Sequence, residues 1–162
     1  MTIKPGPALL IVTIVIGTLI LGAGCSKEDR ALPKWYDPLR DAESDLQIAV
    51  KLAQQAEKRV LMVVGGDWCK WCHFLRDFWN LHSDINGYVH DHYVLLKVNF
   101  SPDNKNEVFL SKYPEIRSYP HINILDANGA LLHSQDTAVL ESGQSYDPVI
   151  MKEFLRKWSG RE

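Results

Sequence analysis

Two cysteines separated by two residues are the part of this sequence best suited to chemistry. They are Cys69 and Cys72, within the stretch GGDWCKWCHFLRDFW that runs from Gly65 to Trp79. A Cys-x-x-Cys pair can act as a redox dithiol or supply half of a tetrahedral zinc site. Because His73 follows directly, the same residues also match the attachment sequence of a c-type haem. The rest of the sequence has to decide among these three.

The expected position of Cys69 favours the dithiol. The stretch CKWCHFLRDFWNLH has apolar residues at helical spacing, so we expect a helix that begins at Cys69. Unpaired amides at a helix N-terminus stabilise a thiolate, and Lys70 adds a nearby positive charge. We therefore predict that Cys69 attacks disulfides and that Cys72, one turn further along, resolves the mixed disulfide. The apolar residues of this helix are expected to pack in the core: Trp71, Phe74, Leu75, Phe78 and Trp79.

The haem and zinc alternatives need ligands that the sequence does not mark. Haem would use His73 as its proximal ligand, but no residue is marked as a second axial ligand and several strands are expected here. Zinc needs two further ligands, and no second Cys-x-x-Cys or His-x₃-His follows. His90 and His92 form a His-x-His pair that is more typical of surface residues. The favoured prediction is a redox-active dithiol with no metal and no other cofactor.

The N-terminal residues predict export from the cytoplasm. Residues 5–24 include no charged residue, and only Lys4 and the chain start carry positive charge ahead of them. Small residues then lead to Cys25, which resembles a bacterial lipoprotein signal in which the cysteine is lipidated. Gly22 stands where those signals usually have leucine. An uncleaved membrane anchor is the alternative, because about 20 apolar residues can span a bilayer.

We therefore predict a signal peptide or anchor over residues 1–24, a charged tether over residues 25–42 and a globular domain over residues 43–162. The domain is expected on the periplasmic side of the cell envelope, tethered to a membrane by lipid at Cys25 or by the anchor. With Cys25 assigned to lipid, only one cysteine pair remains, too few for a disulfide framework. The formal net charge is −2 and there is no basic stripe, so we expect no nucleic-acid partner.

The order of expected elements predicts an α/β fold. Apolar periodicity and turn residues predict helix, strand, helix, strand, helix, two hairpin strands and helix. This order gives a mixed central sheet with helices on both faces. The stretches are LQIAVKLAQQAEKR after Asp45, VLMVV, CKWCHFLRDFWNLH, YVLLKVNF, residues 106–113, HINIL, ALLH and residues 147–158, with a short edge strand at Trp35-Tyr36 inside the tether.

Three features together resemble the thioredoxin superfamily, over roughly residues 42–158. They are DWCKWC after a buried strand, Tyr119-Pro120 before a hairpin with an Asn-Gly turn, and a terminal helix. The resemblance is to exported thioredoxin-like domains with a Trp-Cys-x-x-Cys motif. It implies that Cys69 is the nucleophile, Cys72 the resolving thiol and Trp68 a residue that shapes the site. It also implies a cis-proline at Pro120, which leaves the backbone of Tyr119 free to pair with an extended substrate segment.

This sequence departs from the family pattern at two places. Reductants of the family carry a buried aspartate six residues before the first cysteine, and here that position is Val63. Resolution by Cys72 is then slower unless Glu57, Asp67 or His73 takes its proton. The spacer is Lys70-Trp71, and the Lys70 charge favours a more oxidising couple.

The resulting prediction is a thiol:disulfide oxidoreductase of the bacterial cell envelope. We expect it to reduce disulfides of other envelope proteins and to be recharged by a membrane electron donor. A disulfide isomerase or oxidant is the main alternative, and a c-type haem protein or a client-docking module is a further one. His121, next to Pro120, is expected to be structural, although it borders the predicted site.

Overall fold

The computed structural model describes residues 1–2 and 35–160. Backbone contacts separate the unit Met1–Arg30 from the unit Ala31–Glu162, and the fold below belongs to the second. The predicted leader, Cys25 and most of the predicted tether lie outside the described residues. Among the helices of the described part, none combines the length and the apolar character needed to cross a bilayer.

A four-stranded mixed sheet forms the centre of the domain. Its strand order is β2-β1-β3-β4, with β1 and β2 parallel and β3 antiparallel to both β1 and β4. A small two-stranded sheet of β5 and β6 follows. The elements are α1 (Ala42–Ala56), β1 (Arg59–Gly65), α2 (Lys70–Leu81), α3 (Ser83–His92), β2 (Tyr93–Asn99), α4 (Glu107–Leu110), β3 (His121–Leu125), β4 (Leu131–Asp136), a 3₁₀ turn (Thr137–Leu140), β5 (Glu141–Ser142), β6 (Ser145–Tyr146) and α5 (Pro148–Trp158).

Strand β1 is buried on both faces, as its continuous apolar sequence predicts. Successive side chains of a strand point to opposite faces, so alternate residues of β1 enter two separate cores. Val60, Met62 and Val64 pack in the core that includes Ala49 and Ala53 of α1. On the other face, Leu61 and Val63 pack with Leu75 of α2, Ile85 of α3 and Leu155 of α5. Helices therefore cover both faces, and the predicted fold class is confirmed.

Side-chain caps determine where α1 and α5 begin. The Asp41 carboxylate accepts a hydrogen bond from the Ser44 amide at 2.7 Å, so α1 starts at Ala42 rather than after Asp45 as predicted. Asp45 instead forms an ion pair with Arg40. In α5 the Asp147 carboxylate accepts from the amides of Val149 and Ile150, and Pro148 occupies the first helical position. That start agrees with the prediction.

The segment before α1 is part of the domain, so the prediction of a tether over residues 25–42 is wrong from residue 35 onward. The predicted edge strand at Trp35-Tyr36 is also wrong, because these residues form a bend and Tyr36 is only 2% exposed. The Asn104 side-chain amide donates to the backbone carbonyls of Pro38 at 2.9 Å and Arg40 at 3.4 Å, which fixes the segment to the loop after β2.

Two further elements differ from the prediction. Helix α3 was not expected, because its sequence SDINGYVHDH includes Gly87 and places only Ile85 and Val89 in the buried core. The helix predicted over residues 106–113 is shorter in the structure, where α4 has four residues and ends at Leu110. Proline disfavours helical backbone at the residue before it, so a helix that continues through Tyr113 is not favoured.

Helix α2 offers a matched test of the described packing, because it has one buried and one exposed leucine. Leu75 is fully buried against β1, whereas Leu81 of the same helix is 79% exposed. Leu75→Ala should lower the free energy of unfolding by about 2–5 kcal/mol, because it removes buried methyl groups and leaves a cavity. Leu81→Ala should change it by less than about 0.5 kcal/mol. Urea unfolding of the oxidised full chain in mild detergent measures both, and equal losses would contradict the described packing.

Candidate active site

The candidate site lies where β1 ends and α2 begins. The Phe100 amide, directly after β2, donates a hydrogen bond to the Gly65 carbonyl at 2.6 Å, so the ends of the two parallel strands stay together. The Cys69 amide then donates to the Gly66 carbonyl at 3.0 Å, which turns the chain from the strand into the helix. Cys69 is therefore held at the carboxyl edge of the sheet.

Cys69 and Cys72 form a disulfide across the first turn of α2, with their Cα atoms 5.2 Å apart. Cys69 is the N-cap residue, and its sulfur accepts a hydrogen bond from the Cys72 amide at 3.1 Å. A negative charge that forms on Cys69 when the disulfide opens would face the positive end of the helix dipole. Both residues are at most 5% exposed, so little of the disulfide is open to solvent.

A loop beside the disulfide ends in a cis peptide bond, Tyr119-Pro120, which confirms the predicted cis-proline. The Tyr119 carbonyl oxygen lies 3.4 Å from the Cys69 sulfur. The Tyr119 amide makes no hydrogen bond within residues 35–160. The buried Thr137 hydroxyl donates to the Pro120 carbonyl at 2.7 Å and holds the turn. The backbone beside the disulfide therefore offers an unused donor.

Three aromatic side chains, Trp68, Phe100 and Tyr119, form an aromatic wall beside the disulfide. The Tyr119 ring stacks on Phe100 with centroids 4.7 Å apart, and its edge contacts Trp68 at 5.6 Å. The Trp68 indole N–H donates to the Phe100 carbonyl at 2.6 Å, yet Trp68 remains 56% exposed. Partial burial raises the pKa of Tyr119. An exposed tryptophan fixed in this way provides apolar contact area for a partner.

Sequence reasoning missed Phe100, because a phenylalanine at a strand end looks like any core residue. Its position depends on an asparagine-rich loop. The side-chain amide of the buried Asn99 donates to the Asn104 backbone carbonyl at 2.8 Å, and the Asn106 side-chain amide donates to the Asn99 backbone carbonyl at 2.7 Å. Asn106 adopts left-handed backbone, which asparagine tolerates better than most residues.

The remaining predicted residues around the dithiol lie in three places. The Lys70 amino group lies 5.2 Å from the Phe74 ring centroid, on the exposed side of α2, and no contact brings it to either sulfur. Trp71 packs edge-on against Phe74 and Tyr146, which confirms its predicted packing role. The His73 ring donates from Nε2 to the Asp67 carbonyl at 2.6 Å and stabilises the turn before Cys69.

The core that includes the disulfide is mainly apolar. Val63 is fully buried opposite Ile122 of β3. Tyr36 enters this core from the segment before α1 and brings a hydroxyl with it. Burial, with smaller contributions from Tyr146 and Asp67, raises the pKa of Tyr36. Sequence reasoning missed Tyr36 because it assigned the segment to the tether.

The suggestion that Glu57 assists Cys72 is wrong. Glu57 is the C-cap residue of α1, just before β1, whereas the disulfide follows the other end of β1. Seven strand residues separate the two ends by about 20 Å, because a strand rises about 3.3 Å per residue. Asp67 is close enough to act on the Tyr36 hydroxyl electrostatically, and its backbone carbonyl accepts from His73.

His121, His90 and His92 have no hydrogen bond to either cysteine within the described residues. His121 is buried on β3 and shares a hydrogen bond of 2.8 Å with the Ser134 hydroxyl, so it is structural as expected. Burial lowers the pKa of His121. His90 and His92 lie in the last turn of α3. Within the described ranges, no three His, Cys, Asp or Glu side chains come together as metal ligands could.

Comparisons with known proteins agree with this geometry. The model of the thioredoxin-like domain family matches residues 46–139. A disulphide isomerase from Xylella fastidiosa Temecula1 is similar in fold, with a TM-score of 0.67 and 20% identity over 78% of this chain and 98% of that one. A DsbH oxidoreductase has a TM-score of 0.48 and 17% identity, over 70% and 81% of the two chains. A comparison with curated protein sequences gave no match.

Close packing over Gly66 gives a test of the aromatic wall. A Cβ atom at Gly66 would lie 2.5 Å from Trp68 Nε1 and 2.6 Å from the Phe100 carbonyl oxygen, and the latter is backbone that cannot easily move. Gly66→Ala should therefore displace the Trp68 indole and cost about 1–3 kcal/mol of stability. The chemical shift of the Trp68 indole proton and urea unfolding measure these effects.

Gly87 provides the control, because it lies in helix α3 and a Cβ there would meet nothing within 4 Å. Gly87→Ala should raise stability by about 0.5–1 kcal/mol and leave the Trp68 indole signal unchanged. A Gly66→Ala variant as stable as the parent, with an unshifted indole proton, would contradict the described contact.

Proposed function

The chain belongs to the thioredoxin-like domain family, and on that premise we propose that it reduces disulfides of partner proteins in the bacterial cell envelope. The fold and the Cys69–Cys72 pair support thiol–disulfide oxidoreductase activity. The observation that carries the proposal is the position of Cys69. Its sulfur caps the N-terminus of α2 and lies 3.4 Å from the carbonyl before a cis-proline.

The reaction begins from the reduced pair. The Cys69 thiolate attacks one sulfur of the partner disulfide, a new S–S bond forms to Cys69, and the other partner sulfur leaves as a thiolate. The Cys72 sulfur, one helical turn away, then attacks Cys69. This step forms the Cys69–Cys72 disulfide seen in the structure and releases the second partner sulfur. Two electrons pass to the partner, and protons from solvent complete its thiols.

The loop at Tyr119 supports recognition of an extended partner segment. Its amide makes no hydrogen bond within the described residues, and its carbonyl faces the Cys69 sulfur. A partner strand that pairs with this backbone would bring its own disulfide to Cys69, a form of strand addition. The aromatic wall then contacts the partner's apolar side chains through Trp68, which is 56% exposed. Backbone pairing of this kind suits many sequences, so partners share an exposed disulfide rather than a motif.

The envelope location rests on the N-terminal residues. The uncharged run 5–24 and Cys25 support export and a membrane tether, by lipid at Cys25 or by an anchor. An oxidising compartment returns the pair to the disulfide, so a dithiol donor in or at the membrane must reduce it after each cycle. Other disulfide-containing envelope proteins are the proposed substrates.

Disulfide isomerisation is the second candidate function. Val63 leaves the layer beneath the pair without a carboxylate at that position, so the proton of Cys72 has no acceptor there. Slow resolution gives a mixed disulfide time to rearrange within the partner. The structural similarity to a protein named as a disulphide isomerase agrees with this candidate in fold.

Trapping of mixed disulfides tests the proposed order of attack. Cys72→Ser should accumulate disulfide-linked partners at least about tenfold over the parent chain, because Cys69 can attack but nothing resolves the product. Cys69→Ser should accumulate none. Gel electrophoresis without reductant, followed by mass spectrometry of the linked peptides, measures the capture. A double variant that lacks both cysteines but keeps Cys25 controls for capture through Cys25. Capture through Cys72 in place of Cys69 would contradict the assignment.

The products formed from a peptide with two disulfides separate the two candidate functions. The reduced chain should convert the peptide to free thiols while the Cys69–Cys72 disulfide forms in equal amount, as a reductase does. An isomerase would give rearranged peptide disulfides while its own pair stays reduced. Acid quenching and mass analysis of both components over time measure the ratio. Rearrangement without loss of the reduced pair would replace the reductase proposal with the isomerase.

A further inference from the structure

Tyr36 places a polar atom, its hydroxyl oxygen, in the core that includes the disulfide. Its ring is 2% exposed and packs in the same core as Val63, Cys69 and Cys72. Within the described residues the Tyr36 hydroxyl has no hydrogen-bond partner. A buried hydroxyl without a partner costs free energy, and such groups are rare in folded proteins. The structure with a closed disulfide therefore keeps this hydroxyl in an unfavourable state.

The Tyr36 hydroxyl oxygen and the Cys72 sulfur both lie close to Gly65. A Cβ atom placed on Gly65 would lie 2.5 Å from Cys72 Sγ and 2.8 Å from the Tyr36 hydroxyl oxygen. The sum of these two distances is the upper limit for the separation of the oxygen from the sulfur. Gly65 has no side chain, so nothing from that residue stands between them. A movement of the Cys72 sulfur toward Tyr36 on reduction would bring the two atoms within hydrogen-bond distance.

The segment that carries Tyr36 is fixed by specific contacts. Trp35 packs on Trp79 of α2 with ring centroids 5.6 Å apart, and the Lys97 amino group lies 5.0 Å from the Trp35 ring centroid. The Asn104 amide holds the carbonyls of Pro38 and Arg40. These contacts join the segment to α2, to β2 and to the loop behind the aromatic wall. Tyr36 is therefore held at its position by contacts that do not involve either cysteine.

We propose that the Tyr36 hydroxyl donates a hydrogen bond to the Cys72 sulfur once the disulfide is reduced, which makes Tyr36 the positioning residue for the resolving thiol. The inference rests on the proposed function and extends it to the step that Cys72 performs. A dithiol reductant supplies two electrons to the S–S bond, and each sulfur becomes a thiol or a thiolate. The Cys72 sulfur is then a better acceptor than a disulfide sulfur, and the Tyr36 hydroxyl acquires its missing partner.

The hydrogen bond has a defined effect on the redox equilibrium. It exists only in the reduced form, and the unpartnered hydroxyl exists only in the oxidised form. Both facts stabilise the reduced form relative to the disulfide, so Tyr36 makes the couple more oxidising. The titratable groups that face the hydroxyl, besides Cys72, are Tyr146 and Asp67. Neither is changed in the variants below, so their contributions cancel in the comparison.

The test is Tyr36→Phe in the full chain, equilibrated with mixtures of reduced and oxidised glutathione. Phenylalanine keeps the ring and removes only the hydroxyl. The ratio of disulfide to dithiol at a given glutathione mixture should rise about tenfold, which corresponds to a potential about 30 mV more negative. Alkylation of free thiols followed by mass analysis measures the ratio. A ratio within about twofold of the parent would overturn the proposal.

Tyr93→Phe is the matched control, because Tyr93 is equally buried in the same core. Its hydroxyl donates to the Leu155 carbonyl at 2.6 Å, away from the disulfide. This variant should lose stability yet keep the parent ratio of disulfide to dithiol. If Tyr93→Phe shifts the ratio as far as Tyr36→Phe does, the effect is general destabilisation and the proposal fails.

A measurement on the unsubstituted chain covers the case in which Tyr36→Phe does not fold. In the chain labelled at the tyrosine ring carbons, reduction should move the Cζ resonance of Tyr36 by much more than that of Tyr93. Equal small shifts would overturn the proposal.

The outcome for Tyr36 is separate from the outcome for the proposed function. Partner capture by Cys72→Ser with an unshifted glutathione ratio in Tyr36→Phe would remove the Tyr36 inference and leave the function. A shifted ratio without any captured partner would leave the inference and remove the function.

Discussion

Close packing at the end of β1 is the constraint on which the site depends. At Gly65 and Gly66, any side chain would clash with atoms of the site. A Cβ on Gly65 would strike Cys72 and Tyr36, and one on Gly66 would strike Trp68 and the Phe100 carbonyl. Because β1 is buried on both faces, the strand cannot shift to make room. The absence of two side chains therefore lets the disulfide, the aromatic wall and the Tyr36 hydroxyl share one small volume.

Backbone groups as well as side chains contribute to the chemistry of the site. The sulfur of Cys69 faces the N-terminus of α2, so its negative charge in the reduced state is stabilised by backbone dipoles rather than by a cation. The Lys70 charge, expected from the sequence to help, lies over Phe74 instead. In the proposed function, recognition also falls to backbone, through the amide and carbonyl of Tyr119, while Trp68 adds apolar contact. We expect such a site to select for an accessible disulfide more than for a side-chain sequence.

The elements predicted well from the sequence are those with strong local signals. The apolar run of β1, the amphipathic stripe of α2 and the Asp147-Pro148 start of α5 all have patterns that packing then confirms. The resemblance to thioredoxin-like proteins supplied the cis-proline. Helix α3 was missed because its apolar periodicity is weak, and only its packing on α2, α5 and β2 holds it as a helix.

Residues that act through long-range contacts could not be predicted. Tyr36 stands in a charged segment with two prolines nearby, which is typical of a linker, and no local pattern shows that its ring enters the core. The prediction that Glu57 assists Cys72 was wrong for the opposite reason. Glu57 is near β1 in sequence, but it lies at the end of the strand far from the disulfide. Both cases depend on where the chain crosses the sheet, which a local sequence pattern does not state.

The reduction potential of the full chain decides whether the Cys69–Cys72 disulfide is a working redox couple or a structural link. Counting free thiols in a series of glutathione and dithiothreitol mixtures measures it. We predict one two-electron transition at a potential above about −300 mV, because structural disulfides lie below that value. A disulfide that is reduced only at potentials below about −300 mV would have a structural role alone.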